Sequence, residues 1–292
     1  MNFLQTFVKT YGDVVDKTAS ASLDGQSTPS NSQRGREIGK FLESLLLSTV
    51  DAVRSSLGST WTSSQRQGQG QPPFESKAVP IEERPTSSDA LSGMFTLLRT
   101  CAERCPIFLM HLPAAPSLDV KEDMLHRRAV ESAVSCIIDG DTDTSKSAME
   151  YLESTANLTQ SSSDDVRHTA DNILSIVRCD LITTLLVGSC GKLSASNIGQ
   201  AANLLSAVLT SSSSPEESDV IVIQALTHEG FLLGTDAQFV SLGVLRKVSR
   251  NEVVATDLTI FLGDVWELHQ VEYSESLQGS DAVARFCRKY AS

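Results

Sequence analysis

The chain has 292 residues, of which 40% are hydrophobic and 21% charged, which is enough to bury a core in one or two domains. Its 36 acidic and 24 basic residues give a net charge of −12, and the basic residues form no run longer than a pair. Because phosphate binding needs clustered Lys and Arg, we predict no direct contact with nucleic acid. An acidic surface favours basic protein segments as partners, although it is also a common route to solubility.

Three further features concern the cellular compartment. No apolar stretch approaches about 18 residues, so we predict no transmembrane helix and no membrane partner. The first residues, MNFLQTFVKTYGD, lack the charge and apolar pattern of a signal peptide. The cysteines are scattered rather than arranged as a disulfide framework, which predicts reduced thiols in an intracellular protein. They are Cys101, Cys105, Cys136, Cys179, Cys190 and Cys287.

Apolar residues recur at helical spacing almost everywhere. The first predicted helix covers 1–17 and places on one face Phe3, Leu4, Phe7, Tyr11, Val14 and Val15. The second covers about 36–57, with a buried side of Ile38, Phe41, Leu42, Leu45, Leu46 and Val53. Further helices are predicted near 88–103, 120–138, 144–154, 163–186, 194–209, 216–227, 236–248, 253–270 and 280–290. No stretch combines period-two alternation with hairpin turns, so the predicted fold class is all-α.

Two segments interrupt this pattern. Residues 18–34 and 58–87 are rich in Ser, Gln, Gly and Pro, a composition that predicts flexible insertions. They separate a helix at 1–17, a helix at 35–57 and a repeat array at 88–292. Short loops between helices of similar length indicate antiparallel neighbours. We therefore predict an α-solenoid, an α-α superhelix of HEAT-like antiparallel helical hairpins.

One loop has partial calcium-site spacing. Asp139, Asp141 and Asp143 fall at positions one, three and five of an EF-hand loop, and Glu150 falls at position twelve. Position six, where the motif requires glycine, is Thr144. The favoured alternative is a polar loop in which Asp143 or Thr144 caps the next helix.

Other candidate sites are weak. Cys101 and Cys105 lie four residues apart with His111 beyond, but zinc requires a second ligand pair, so core cysteines are favoured. The Gly188–Gly191 segment lacks the spacing of a nucleophile elbow and reads as a glycine-capped helix end. Trp266 is interpreted as core packing rather than an interface anchor. We predict no catalytic residue, no cofactor and no metal site, and hence no enzyme.

One helix carries a repeat-like pattern. In SSDDVRHTADNIL, Asp164 or Asp165 is expected to cap the helix while Arg167 points aside. The small alanine in this pattern permits close helix approach, as in the second helix of a HEAT hairpin. The residues expected to face inward are Val166, Ala170 and Ile173.

Two segments, MFTLLRTCAERCPIFLMHLP (94–113) and LHRRAVESAVSCIIDGDTDTSKSAMEYLES (125–154), resemble the C-terminal HEAT repeats of karyopherin-β (importin-β-like) nuclear transport receptors. The similarity is greatest to the transportin-SR and importin-thirteen branch, whose Ser-Ala-Met-x-x-Leu helix is matched by Ser147, Ala148, Met149 and Leu152. LQTFVKTYGD and DAVARFCRKY also resemble helices of that branch. The resemblance covers 1–17 and 88–292.

The resemblance implies the C-terminal part of a receptor that binds protein cargo for nucleocytoplasmic transport, in the import direction, and shuttles between cytoplasm and nucleus. Implied partners are basic or serine/arginine-rich cargo, nucleoporins, and Ran-GTP where an N-terminal region is present. The partner-binding residues are not assigned by the resemblance. The alternative is a generic HEAT-like scaffold subunit of another protein assembly.

Overall fold

The computed structural model describes residues 2–23, 31–57, 85–112, 124–211, 215–228, 231, 234–272 and 278–291. Within these residues the protein is helical and has no strand, which confirms the predicted all-α class. A π-helical turn at Gly188–Lys192 and a 3-10 turn at Ala195–Asn197 connect the seventh and eighth helices.

The described residues form twelve α-helices. They are α1 (Asn2–Leu23), α2 (Asn31–Leu57), α3 (Pro85–Arg104), α4 (Pro106–Met110), α5 (Leu125–Asp139), α6 (Thr142–Leu158), α7 (Asp164–Val187), α8 (Ile198–Thr210), α9 (Pro215–Leu226), α10 (Gly234–Ser249), α11 (Ala255–Glu272) and α12 (Gln278–Tyr290).

Three helices reach into the segments that composition predicted to be flexible. α1 continues to Leu23 and α2 begins at Asn31, both within 18–34, and α3 begins at Pro85, within 58–87. Local signals outweigh the average composition here, because TASASL contains two alanines, the strongest helix formers, and proline is favoured at a first helical position. The remainder of both predicted insertions, 24–30 and 58–84, lies outside the described residues.

The short helix α4 was not predicted. Its own N-cap residue, Cys105, makes no side-chain cap hydrogen bond, and Pro106 occupies the first position. The cap comes instead from α1, because the Phe108 backbone N–H donates to Asp16 Oδ1 at 3.1 Å. Burial raises the pKa of Asp16, while the backbone hydrogen bonds from Phe108 and Ile107 act in the opposite direction. α4 therefore depends on a carboxylate that is distant in sequence.

The helices pack in two rows. We call the set α3, α6, α8 and α11 the α6 row, because α3 packs on α6, α6 on α8, and α8 on α11. The set α5, α7, α9, α10 and α12 is the α7 row, in which each helix packs on the next. Contacts of α5 and α7 with α6, of α10 with α8, and of α12 with α11 join the two rows. The hairpin of α1 and α2 packs on α3.

Helix α6 shows how sequence spacing produces this packing. It contacts α3, α5, α7 and α8, so it needs more than one apolar face. Its buried positions combine small side chains with the larger Met149, Tyr151 and Leu152, which close packing requires. Tyr151 contacts Phe95 of α3 and His126 of α5. The buried residues of α6 are Thr144, Ser145, Ala148, Met149, Tyr151, Leu152, Thr155 and Ala156.

The hairpin of α1 and α2 differs from its prediction. Val8, Gly12 and Val15 form the buried face of α1, and a side-chain carbon at Gly12 would lie 2.8 Å from Arg104 Cβ on α3. Phe41, expected on the buried side of α2, is 48% exposed. The prediction is confirmed for Val15, Leu42 and Leu46 and wrong for Phe41. Close helix approach favours small residues such as glycine, which the periodicity of large apolar residues does not detect.

Within the described residues, one helical segment is long and apolar enough to cross a membrane by length and composition, namely Asp164–Lys192. The sequence prediction required an uninterrupted apolar run, and polar residues interrupt the apolar residues of this segment. However, 67% of its most apolar window is buried inside the protein, and α7 packs on both rows. This burial is typical of a core helix.

Candidate partner-binding surface

Polar side chains connect α3 to α6 along the partly exposed side of the α6 row. The hydroxyls of Ser92 and Ser147 lie 2.8 Å apart. About one turn further along α6, Arg99 Nη1 donates to Glu150 Oε2 at 2.6 Å, and Arg99 Nε donates to Glu103 Oε1 at 2.8 Å. These side chains are partly exposed, so the hydrogen bonds that fix the register of α3 against α6 lie at the protein surface.

The same series of contacts continues from α6 to α8. Gln200 Nε2 donates to Glu153 Oε2 at 2.6 Å. At the start of α8 the buried Asn197 side chain donates to the Thr142 carbonyl at 3.0 Å. We call the cross-helix polar contacts between α3, α6 and α8 the polar ladder. It holds three helices of one row in a fixed order and leaves carboxylates at the surface.

The loop with EF-hand spacing is a helix cap. Asp141 Oδ1 accepts hydrogen bonds from two backbone N–H groups, those of Asp143 and Thr144, each at 2.9 Å. Ser88 of α3 also bonds to the Asp141 carboxylate, and Glu150 binds Arg99 instead of facing the loop. The capping residue is thus Asp141, and the predicted Asp143 and Thr144 lie in the first turn. No group of three or more potential metal-ligating side chains occurs among the described residues.

Cys101 and Cys105 are fully buried core residues, as the sequence favoured. A hydrogen bond to Cys101 and burial, in that order, raise the pKa of the Cys105 thiol, which keeps it protonated. His111 lies apart from them, with Nε2 at 2.8 Å from Asp165 Oδ2. The three residues therefore do not form a site.

The Gly188–Gly191 segment is a buried turn between α7 and α8. Ser189 is buried and its hydroxyl donates to the Leu185 carbonyl at 2.8 Å, as expected for a helical serine. Gly191 has φ +92°, the left-handed region that favours glycine, and an added Cβ would lie 3.0 Å from the Gln270 side chain. Trp266 packs against the core and its indole N–H donates to the Leu193 carbonyl at 3.1 Å.

The repeat-like pattern in α7 is partly confirmed. Val166, Ala170 and Ile173 are buried, and Arg167 is at the surface, where it pairs with Asp164 at 2.6 Å. The capping prediction is wrong, because the N-cap position is Ser163, which makes no side-chain cap bond. Asp164 and Asp165 lie in the first turn, where the positive end of the helix dipole stabilises their negative charge.

Sequence reasoning missed a buried polar pair between α5 and α6. The Tyr151 hydroxyl and His126 Nδ1 share a hydrogen bond of 2.7 Å, and the Tyr151 ring stacks on Phe95. Burial lowers the pKa of His126 to about 4. Its Nε2 has no hydrogen-bond partner in the described structure. Helical spacing could have predicted that His126 is buried, because His126 lies on the same face of α5 as the buried Val130, Ala133 and Ile137.

The two rows differ in charge. The four helices of the α6 row contain nine acidic and three basic residues, whereas the five helices of the α7 row contain eleven acidic and nine basic residues. Asp257 and Glu267 are exposed on α11. On the same helix Asp264 is bonded by Lys289 and Tyr290 of α12. The α6 row therefore presents a net negative surface, which favours basic ligands.

Comparison with protein-family models, with curated proteins and with solved structures found no match for this chain.

Proposed function

We propose that the chain is the C-terminal part of a nuclear transport receptor of the karyopherin-β type, with an α-solenoid fold, and that it binds protein cargo for import. The net negative α6 row is the observation that carries this proposal. Its partners are basic or serine/arginine-rich cargo and nucleoporins, with Ran-GTP acting where an N-terminal region is present. The protein shuttles between cytoplasm and nucleus.

The packing order supports a solenoid. In a solenoid of helical hairpins, each helix packs on the equivalent helix of the next hairpin, and this produces two parallel rows. The contacts of α5 with α7, of α7 with α9, and of α6 with α8 follow that order. The buried Val166, Ala170 and Ile173 also match the inward positions of a HEAT helix.

The surface chemistry supports cargo with positive charge. Repeat proteins bind along an extended row of helices instead of in a pocket. The α6 row exposes Glu103, Asp257 and Glu267, and its charge excess attracts Arg-rich segments from a distance. Arginine pairs well with carboxylates because its planar group donates two parallel hydrogen bonds.

A peptide titration tests the cargo proposal. A fluorescein-labelled peptide of alternating Arg and Ser is expected to bind the purified chain, with an affinity that falls as salt rises. Glu267→Lys should weaken binding about threefold to fivefold, the effect of one exposed ion pair. Asp180→Lys, on the exposed side of α7, makes the same change in net charge and serves as the matched control. Equal weakening by both variants would assign the effect to net charge and contradict a site on the α6 row.

A second measurement separates a transport receptor from a scaffold subunit. Immobilised nucleoporin segments should retain the chain, and a fluorescent fusion should move between cytoplasm and nucleus. Peptide binding without either behaviour would reject the transport function and favour the scaffold alternative.

A further inference from the structure

Helix α12 is a basic helix that packs against the end of the α6 row. It contains three basic residues and one acidic residue, and the basic ones are exposed. They are Arg285, Arg288 and Lys289. The helix packs on α10 and α11, where the ring centroids of Phe286 and Tyr290 lie 5.8 and 5.2 Å from that of the buried Phe261. These aromatic contacts hold α12 in place, so its basic side chains are not required for its packing.

One basic side chain of α12 binds a carboxylate of the α6 row. Lys289 Nζ and the Tyr290 hydroxyl both donate to Asp264 Oδ2 on α11. The side chain of Asp264 is 27% exposed and that of Lys289 is 52% exposed, so this contact lies at the protein surface. Burial and the hydrogen bond with Asp264, in that order, raise the pKa of Tyr290, and the charge of Asp257 acts in the same direction. Two carboxylates of α11 therefore lie near the end of α12.

The carboxylate that Lys289 binds borders the surface proposed to bind cargo. Asp264 and Glu267 are three residues apart on α11, a spacing that makes side chains neighbours on a helix surface. Glu267 is exposed. Lys289 thus places a positive charge beside the carboxylates that would pair with the arginines of a cargo segment. Because an ammonium and a guanidinium carry the same charge, a cargo arginine competes with Lys289 for Asp264.

We propose that α12 is an internal basic ligand of the α6 row, in which Lys289 occupies Asp264 until basic cargo displaces it. This inference rests on the proposed function and adds a regulation of the same surface. Displacement requires little free energy, because an exposed ion pair is weak and the aromatic contacts keep α12 in place. Arginine-rich cargo has the advantage, since a guanidinium donates two parallel hydrogen bonds to a carboxylate whereas an ammonium acts as a point charge.

The test titrates the full chain with the fluorescein-labelled peptide of alternating Arg and Ser. Lys289→Gln removes the competing charge and should tighten peptide binding about threefold to fivefold, the effect of one exposed ion pair. Arg288→Gln makes the same change in net charge on the same helix and is the matched control. It should tighten binding by less than about 1.5-fold, because salt screens a charge that does not contact the binding carboxylates. Thermal unfolding verifies that both variants are folded.

A third variant connects the effect to Asp264. In Asp264→Asn, the lysine has no carboxylate to occupy, so adding Lys289→Gln should tighten binding no more than adding Arg288→Gln does. A specific gain from Lys289→Gln that persists in this background would overturn the proposal. Equal tightening by Lys289→Gln and Arg288→Gln in the wild-type background would also overturn it, because net charge would then explain both.

Failure of this inference can be distinguished from failure of the proposed function. A wild-type chain that binds the peptide and gains nothing specific from Lys289→Gln would contradict the internal ligand and leave the cargo proposal intact. A chain that binds no peptide in any variant would reject both. Binding that appears only after Lys289→Gln would support both, because it would show that α12 blocks the surface in the wild-type protein.

Discussion

Helices α6 and α2 differ in how neighbouring helices hold them in place. α6 contacts helices of both rows, and its buried positions cover several sides of the helix. α2 packs on α1 and α3 through one stripe, consisting of Gly35, Gly39, Leu42, Leu46 and Val50. A helix surrounded by neighbours is fixed by packing, whereas a helix held on one side leaves the rest of its surface exposed. We therefore expect the stability of the protein to depend more on the centre of the rows than on the α1 and α2 hairpin.

The largest effect should come from removing an aromatic residue at the centre. Phe95 on α3 is fully buried and stacks on Tyr151, so Phe95→Ala should lower the free energy of unfolding by about 3–5 kcal/mol. Phe3→Ala removes the same atoms from an exposed position on α1, and should change the free energy of unfolding by less than about 0.5 kcal/mol. Urea unfolding followed by circular dichroism measures both. Similar losses in the two variants would show that the hairpin is as important to stability as the centre.

A second effect of the centre should depend on pH. The buried His126 is neutral in the folded protein with a pKa of about 4, whereas the unfolded chain binds its proton near pH 6.5. The unfolded state thus holds more protons between these values, and stability falls as the pH drops from 6.5 to 4. The loss attributable to this histidine is at most about 3 kcal/mol.

Urea midpoints measured between pH 7.5 and 5 check this prediction. The wild-type protein should lose stability below about pH 6.5. His126→Phe retains the ring volume without the titrating group, so its midpoint should depend less on pH. An unchanged pH dependence in this variant would assign the loss to other groups.

The sequence predicted the helices better than the faces they use. Regular spacing of apolar residues located most helices, because periodicity depends only on local sequence. The buried faces of α1 and α2 could not be predicted with equal success, since Phe3 and Phe41 carry the same hydrophobic signal whether a neighbour covers them or not. The contact of Gly12 with Arg104 depends on tertiary packing, which periodicity does not report.

Polar contacts were predicted least well. The polar ladder joins residues about 50 positions apart, such as Arg99 with Glu150 and Glu153 with Gln200, and no local pattern pairs them. The cap of α6 was expected at Asp143 or Thr144, although Asp141 precedes the helix and has the side chain that caps require. Local rules identified the capping chemistry but not the residue where the helix begins.

A smaller effect should separate the cap of α6 from a calcium site. Asp141→Ala removes the acceptor for two backbone N–H groups and should cost about 1–2 kcal/mol. Asp143→Ala removes a neighbouring exposed carboxylate that is not the cap and should cost less than about 0.5 kcal/mol. Calcium should leave the melting temperature of the wild-type protein unchanged. A calcium-dependent increase that both variants abolish would instead support ion binding in this loop.

The smallest effect should come from the polar ladder. A double-mutant cycle of Arg99→Ala and Glu150→Gln should give a coupling energy of about 0.5–1 kcal/mol, because Glu150 is only 26% exposed and screening is incomplete. The pair Arg127 and Glu131 within α5, each about 40% exposed, should couple by about 0.3–0.5 kcal/mol. If the two cycles agree, the cross-helix bond adds nothing beyond an ordinary surface pair. A larger value for Arg99 and Glu150 that persists in high salt would mean that the ladder helps to fix the order of α3 and α6, and with it the spacing of the carboxylates proposed to meet basic cargo.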